Sequence, residues 1–573
     1  MNVHPTAPAR LAVALCMMLD ALVLALLTVI LFILLTGGGV VEVAEIRIRA
    51  RTAANPLLFL AVAVALRYAA RGWSPFLGMR RLPIARLVSA GVHVSCDTFP
   101  ARLTRLFHRP AVALIAIGIT VLLVKLLLAW RLPGFFSGDD VEIHEMSMGA
   151  LFDRDWPVWT LRNAFFPMLF IFPAQHIVVV LGGVTPEALV LAGRAVVAVL
   201  STAAIPLTWL AARRLVPADP SVAALATALF ALNKLHISFG SSELPRPVST
   251  AFVAGAFLCT LRERPIWSTV AGILLGIAAV FRFSEVVFVP AALLTLMRGG
   301  HWRDALILLV AAVLTFGGIT AVADAMYWGQ PFSSVAAAID YTLVQRESSR
   351  GYEPPWEYLK IIPAWSTFLF VGLAVLGSSR TRPESWWLWT PFALLSLLPH
   401  KESRYLIPVI PFFAIAASRG FLRAIGWIRQ SAGAPRWKLW ARELFAPALL
   451  LSVLHDVSGW RLLRSNEGIR LARYVRPSGS DGIAAQDVWR LGGRAYLWRH
   501  EPLVELPAVL VTDGGALARA VADVRWVALR SRTARTVGDP ALSSLGFRRD
   551  DAWRGEDYVL YVRAVPRFGG QGS

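Results

Sequence analysis

The sequence predicts a polytopic α-helical membrane protein of about thirteen transmembrane helices with a small C-terminal α/β soluble domain. Three observations lead there. Of 573 residues 56% are hydrophobic and 16% charged, and the mean hydropathy is +0.58. The apolar residues arrive in long runs and not at amphipathic spacing, as lipid contact requires. After Leu454 the hydropathy drops, and Ser458 to Ser573 reads as a small soluble α/β domain.

Apolar runs of about 16 to 26 residues can cross the bilayer, the shorter ones with local thinning or snorkelling flanks. They lie at Leu11 to Thr36, Pro56 to Ala70, Ala111 to Trp130, Glu187 to Ala211, Val222 to Phe239, Val248 to Leu261, Trp267 to Phe281 and Phe283 to Met297. Five more follow, at Ala305 to Ala323, Ile362 to Leu376, Trp386 to Leu398, Tyr405 to Ala417 and Leu444 to Leu454. The first run exceeds a signal-peptide core and lacks a small-residue cleavage site, so it reads as a retained anchor. Phe165 to Gly182 is apolar but interrupted by Pro167 and Pro173, and is expected to lie along the membrane surface. The organisation is then an N-terminal extension over 1–110 with two spans and a basic loop, a membrane domain over 111–456, and a soluble domain over 457–573. Candidate strands in the last are AVLVTD, VRWVALRS and YVLYVRAV.

A net charge of +20 would suit a nucleic-acid partner, but the arginines flank apolar spans, where the positive-inside bias accounts for them. With a cytoplasmic N-terminus, the loop bearing Arg80, Arg81, Arg86, Arg102, Arg105 and Arg109 falls inside. So do the later loops at Arg213/Arg214, Arg262/Arg264, Arg298/Arg303, Arg380/Arg382 and Arg419 to Arg442. The unusual polar stretches and the C-terminal domain then face the other compartment. Low lysine and high arginine point to a GC-rich bacterium, hence an inner membrane with a periplasmic active side. Cys16 and Cys259 fall in apolar runs and Cys96 in a basic loop, which gives neither a disulfide framework nor a metal site.

Chemistry is suggested by three stretches. FFSGDDVEIHEM, Phe135 to Met146, places Asp139, Asp140, Glu142 and Glu145 at a membrane edge, where mutual repulsion suits a catalytic base and a solvated acidic loop is the plain alternative. The loop from Asp324 to Pro363 mixes Tyr327, Trp328, Tyr352, Trp356 and Tyr358 with carboxylates, as sugar faces or an interfacial belt would require. At HKESR, His400, Lys401, Glu402 and Arg404 crowd the mouth of a span, as phosphate ligands or as snorkelling cations. Arg246 and Arg282 raise the same choice, Arg282 with Glu285 serving either as a structural pair or in a lipid-phosphate site. Asp20 and Lys125, inside spans, read as structural. No Gly-rich nucleotide loop and no metal-ligand cluster stands out.

Several of these stretches line up, in order, with one family. The chain resembles glycosyltransferase family 22, the polyprenyl-phosphate-mannose-dependent α-mannosyltransferases of N-glycan and GPI-anchor assembly, which have the GT-C membrane fold. The family's Asp-Glu pair, Trp-containing stretch, Arg and Tyr-Pro look like Asp139-Asp140, Trp156 to Trp159, Arg162 and Phe166-Pro167. Its Arg-Thr-Leu-Ser-Asn segment has a loose counterpart in Pro245 to Thr250, and Arg-Pro-Thr corresponds to Arg282-Phe283-Ser284. Asp324 to Gly329 and Gly351 to Tyr358 resemble two further loop motifs. The most specific match is His-Lys-Glu-x-Arg-Phe-x-x-Pro, here His400 to Pro408. The similarity covers Leu132 to Gly420, and Asp140 stands where the family has Glu.

The resemblance implies inverting transfer of a hexose, mannose foremost, from a polyprenyl phosphate donor to a hydroxyl of a glycan or glycolipid acceptor on the non-cytoplasmic face. Asp139 would be the general base, with Asp140 beside it. His400, Lys401, Arg404, Arg246 and Arg282 would hold the donor phosphate. Glu145, Trp159, Arg162, Tyr352 and Trp356 would meet the acceptor or sugar. The implied enzyme needs no nucleotide or other cofactor and no metal, with a divalent ion at Asp139 and Asp140 as the alternative. Its partners are the lipid donor, the acceptor and the bilayer, not nucleic acid. Two rivals remain: a GT-C enzyme using another polyprenyl-phosphate sugar, and a solute transporter, against which the placement of ionisable groups in outer loops counts.

Overall fold

A computed structural model of the chain describes residues 110–154, 156, 158–262, 264–345, 353–429, 452–457, 467–478, 481–498 and 500–563. It also describes the strand residues 39–43 and 46–50, and residues 19, 22, 23 and 26. The expected spans at Leu11 to Thr36, Pro56 to Ala70 and Leu444 to Leu454, and the basic loop at Arg80 to Arg109, lie wholly or mostly outside these.

Among the described residues four helices are long and apolar enough to cross a membrane, Leu114–Arg131, Pro186–Leu215, Trp302–Trp328 and Ser403–Trp427. Shorter apolar helices occupy Pro167–Val180, Pro220–Ala231, Pro265–Phe281 and Phe368–Gly377. The expected count of thirteen is not reached there, partly because the chain punctuates its apolar runs. The run from Val222 to Phe239 divides at Asn233, whose side chain accepts the Leu235 amide and caps a new turn over Lys234–Phe239. The run from Phe283 to Met297 opens as a 3-10 turn, Phe283–Val287, before its helix Phe288–Arg298. Trp386 to Leu398 falls in a helix, Pro383–Ser396, of 14 residues, short of the about 20 that span a bilayer.

The chain packs as two compact units. The first comprises Met1–Leu128, Val197–Ser241 and Pro245–Leu463, and its described residues are mostly helical apart from an antiparallel hairpin of β1 (Gly39–Val43) and β2 (Ile46–Ala50). Small residues let its helices approach. Gly272 and Gly276, one turn apart on Pro265–Phe281, meet Trp302–Trp328: a Cβ at Gly276 would fall 2.7 Å from Thr315 Cβ and 2.8 Å from the Ala312 carbonyl oxygen. Lys125 is buried in this unit, its Nζ 2.8 Å from Ser201 Oγ and 3.0 Å from His236 Nε2, in space left by Gly240.

The second unit comprises Ala129–Val196, Ser242–Leu244 and Arg464–Ser573. Its centre is a mixed five-stranded sheet of β3 (Ile483–Ala485), β4 (Leu503–Glu505), β5 (Trp526–Arg530), β6 (Phe547–Arg549) and β7 (Tyr558–Arg563), in the order β4-β3-β5-β7-β6. β3 runs parallel to β4 and β5, and β7 antiparallel to β5 and β6. The second and third expected strands are present. AVLVTD is not one of them: Ala508–Thr512 is a short helix between Pro507 and Asp513, the latter capping the next helix through the amides of Gly515 and Ala516. Hydrophobic residues cover both sheet faces. Leu506, Val511, Leu517, Leu529 and Leu542 pack together in one core. In the other, Ile483, Ala485, Leu491, Tyr496 and Leu560 gather with Phe135, Val141 and Met148 from the acidic stretch.

Candidate active site

The acidic stretch folds as one helix, Gly138–Leu151, and its 3.6-residue period gives each carboxylate a different surrounding. Asp140 is the N3 residue of a capping box with Ser137. It accepts the amides of Phe136 at 2.8 Å and Ser137 at 2.6 Å and the Ser137 hydroxyl at 2.9 Å. Asp140 is fully buried, and burial raises its pKa against the pull of these hydrogen bonds.

Val141, Glu145 and Met148 share the face that meets the C-terminal residues. Glu145 accepts the Arg494 amide at 2.5 Å, with the Arg494 guanidinium 3.7 Å away. Burial pushes its carboxyl up to about 6. Gly493, at φ +57°, is where a Cβ would collide with Glu145 and Val141.

On the open face stand Asp139 and Glu142, one turn apart. Arg162 joins them, its Nη2 2.6 Å from Asp139 Oδ1 and its Nε 2.5 Å from Glu142 Oε2. The guanidinium also lies 5.4 Å from the centre of the Trp159 ring. These two carboxylates keep 17% and 26% side-chain exposure.

One turn after Asp140, His144 is fully buried with Glu243. Its Nδ1 is 2.8 and 2.9 Å from the two carboxylate oxygens and 3.1 Å from Gln175 Nε2. Burial raises the Glu243 pKa against the nearby His144 and Arg194. Gly193 makes room for that carboxylate, and Arg194 donates to the carbonyls of Ala129, Leu132 and Gly134.

In the first unit a second polar cluster forms. Arg246 opens the helix Arg246–Thr260, donates to Ser284 Oγ at 2.7 Å, approaches Glu285 Oε1 at 3.3 Å and lies 4.2 Å over the Tyr405 ring. Ser249 and Ser284 donate to the same Glu285 at 2.9 and 2.6 Å. His400 Nε2 is 3.3 Å from Glu402 Oε1, and Arg404 pairs with the other oxygen of Glu402. Tyr358 is buried nearby; burial is the main cause raising its pKa, with Arg246 opposing. Lys401 is spoken for locally, its Nζ donating to the carbonyls of Glu353 at 2.7 Å and Leu398 at 2.6 Å. Arg282 ends the helix Pro265–Phe281 beside Ser284 and Glu285 in sequence. Trp356 is 58% exposed, and Tyr352 lies outside the described residues. Among the described residues no group of three His, Cys, Asp or Glu is spaced to hold a metal ion.

Asp139, Trp159 and Arg162 therefore come together, as do Arg246, His400 and Arg404 within their own unit. Asp140, Glu145 and Lys401 are held by main-chain groups. His144, Glu243, Gln175 and Arg194 carry no local signal in the sequence, because they pair at a distance, 99 residues for His144 and Glu243. Arg494 pairs at a distance as well, while Tyr405, under Arg246, directly follows the HKESR stretch and lies within the His400 to Pro408 match.

The sequence profile of the Alg9-like mannosyltransferase family matches residues 152–462, more than half of the chain. The chain belongs to this family. Among solved structures it is similar to ArnT from Cupriavidus metallidurans, at TM-score 0.53 and 15% identity over 80% of this chain and 98% of that one, in a crystal structure with undecaprenyl phosphate bound. The apo ArnT structure matches at TM-score 0.54 and 15% identity over 79% and 98%. The mycobacterial arabinofuranosyltransferase AftD matches at TM-score 0.44 and 12% identity over 79% of this chain and 40% of that chain. The shared architecture with ArnT is the GT-C fold. As a member of the Alg9-like family the protein is a membrane glycosyltransferase, and the transporter alternative falls.

Proposed function

We propose that this enzyme moves mannose from a polyprenyl phosphate to a hydroxyl of a glycan or glycolipid, with inversion, on the periplasmic side of a bacterial inner membrane. The family supports the sugar, and the lipid phosphate bound by a protein of the same fold supports the donor. Asp139 takes the acceptor proton as the new bond forms between the acceptor oxygen and the sugar's anomeric carbon. The bond from that carbon to phosphate breaks, and polyprenyl phosphate leaves with the electron pair. Arg162 orients Asp139, while Arg246, His400 and Arg404 offset the charge growing on the phosphate.

The observation that carries this reading is the sorting of carboxylates along one helix. Asp140 and Glu145 are buried on main-chain amides, while Asp139 and Glu142 stand on the partly open face with Arg162. The deciding measurement is sugar transfer from synthetic polyprenyl-phosphate-mannose to a panel of mannosides by wild type, Asp139→Asn and Glu142→Gln. Loss of roughly a hundredfold or more in Asp139→Asn, with a smaller loss in Glu142→Gln, is expected. The reverse order would move the base to Glu142. Because the protein supplies its own cations, transfer is expected to survive EDTA; loss restored by Mg2+ or Mn2+ would place a divalent ion at Asp139.

A further inference from the structure

The second unit carries a polar constellation that this mechanism does not use. It stands where β3, β4 and β5 reach their carboxyl ends together, the place at which open parallel sheets bind ligands. Asp487 follows β3 in a left-handed conformation, φ +53° and ψ +54°, and accepts Arg530 Nε from the end of β5 at 2.8 Å. Arg490 Nε lies 3.4 Å from the same carboxylate oxygen. Gln486 accepts the Arg530 amide at 2.8 Å, and Glu505, ending β4, accepts the Val488 amide at 2.9 Å. Arg530 lies 4.6 Å over the Tyr558 ring and Arg490 4.6 Å over the Trp489 ring. Stacking fixes both guanidinium planes. Asp487, Arg490 and Arg530 keep 41%, 40% and 25% side-chain exposure. Among the described residues, the terminal nitrogens of the two arginines donate to no other side chain.

Two guanidinium groups against two carboxylates leave no net charge to attract an anion. They leave fixed N–H donors beside a carboxylate acceptor, which matches neighbouring hydroxyls, each able to give and receive a hydrogen bond. We propose that the carboxyl ends of β3, β4 and β5 form a saccharide subsite for a sugar of the acceptor other than the one that receives mannose. The inference rests on the glycosyltransferase reading. It also has a route to the acidic helix. From Asp487 the chain makes one 3-10 turn, Val488–Leu491, passes the left-handed pair Gly492–Gly493 and reaches Arg494, whose amide is bonded to Glu145.

The test uses the purified full-length chain and a series from methyl α-mannoside to a linear mannotetraose. Tetraose is expected to bind in an intrinsic tryptophan fluorescence titration and to exceed the monosaccharide as an acceptor by roughly tenfold in kcat/KM. Arg530→Ala and the isosteric Asp487→Asn are both expected to weaken tetraose binding by roughly tenfold and to erase the length preference. Their thermal unfolding is run alongside, and conclusions are drawn from whichever variant melts with wild type. A wild type that neither binds tetraose nor prefers it, or variants that keep the preference, overturn the subsite. If no acceptor is glycosylated from any donor, the functional reading fails and the titration still decides the subsite.

Discussion

Arg162 Nη2 lies 2.6 Å from Asp139 Oδ1 across 23 residues of sequence, and its Nε holds Glu142 at 2.5 Å. One planar cation thus sets the direction of two carboxylates. A lysine ammonium cannot reproduce the fork. Arg162→Lys is expected to lower kcat by roughly ten- to a hundredfold, with a smaller change in acceptor KM, in steady-state transfer assays.

Arg246 sits under a different constraint, stacked on Tyr405 and bonded to Ser284. Arg246→Lys keeps the charge and loses the stack and the fixed donor geometry. The expected outcome is a donor KM raised roughly tenfold, and weaker inhibition by free polyprenyl phosphate to the same degree.

Glu145 gives a pH signature. Its carboxyl titrates at about 6 in the fold against 4.5 as a free side chain, so between these values the folded state binds more protons than the unfolded. Stability contributed by this group falls as pH rises from about 4.5 to 6, by about 2 kcal/mol, and is flat above. Glu145→Gln can still accept the Arg494 amide without that penalty. It is expected to melt above wild type at pH 7.5, with the gap closing near pH 4.5.

Gly493 combines a left-handed φ of +57° with contact against Glu145 and Val141. Gly493→Ala is expected to destabilise by about 2 kcal/mol or more, read as a lowered melting temperature. Gly118→Ala, on a helix with nothing within 4 Å of the new methyl, serves as the control and is expected to melt with wild type.

The membrane character was plain in the sequence because long apolar runs admit few other environments, and the acidic stretch stood out by its charge density. What the sequence could not sort was the four carboxylates. Asp139 and Asp140 are neighbours in the chain, yet a helix turns successive side chains by about 100°, which sends one towards Arg162 and the other into its own cap. The span count failed to emerge among the described residues for a related reason: a single cap such as Asn233 is averaged out in the hydropathy of a long run but ends its helix. AVLVTD shows the limit for short segments, where an apolar string with β-branched residues was folded into a helix by its flanking Pro507 and Asp513.

The bond between Glu145 and the Arg494 amide joins positions 349 apart. At about 5 to 20 residues per second, a ribosome needs roughly 20 to 70 s to travel that distance. For that whole interval the helix bearing Asp139 exists as nascent chain without Leu491, Tyr496 and Leu560, the residues that will gather with its Val141 and Met148. Assembly of the acidic helix is therefore one of the last events of biosynthesis, and a chain released early by a stop codon before the sheet would reach the membrane with its candidate base on an unsupported helix.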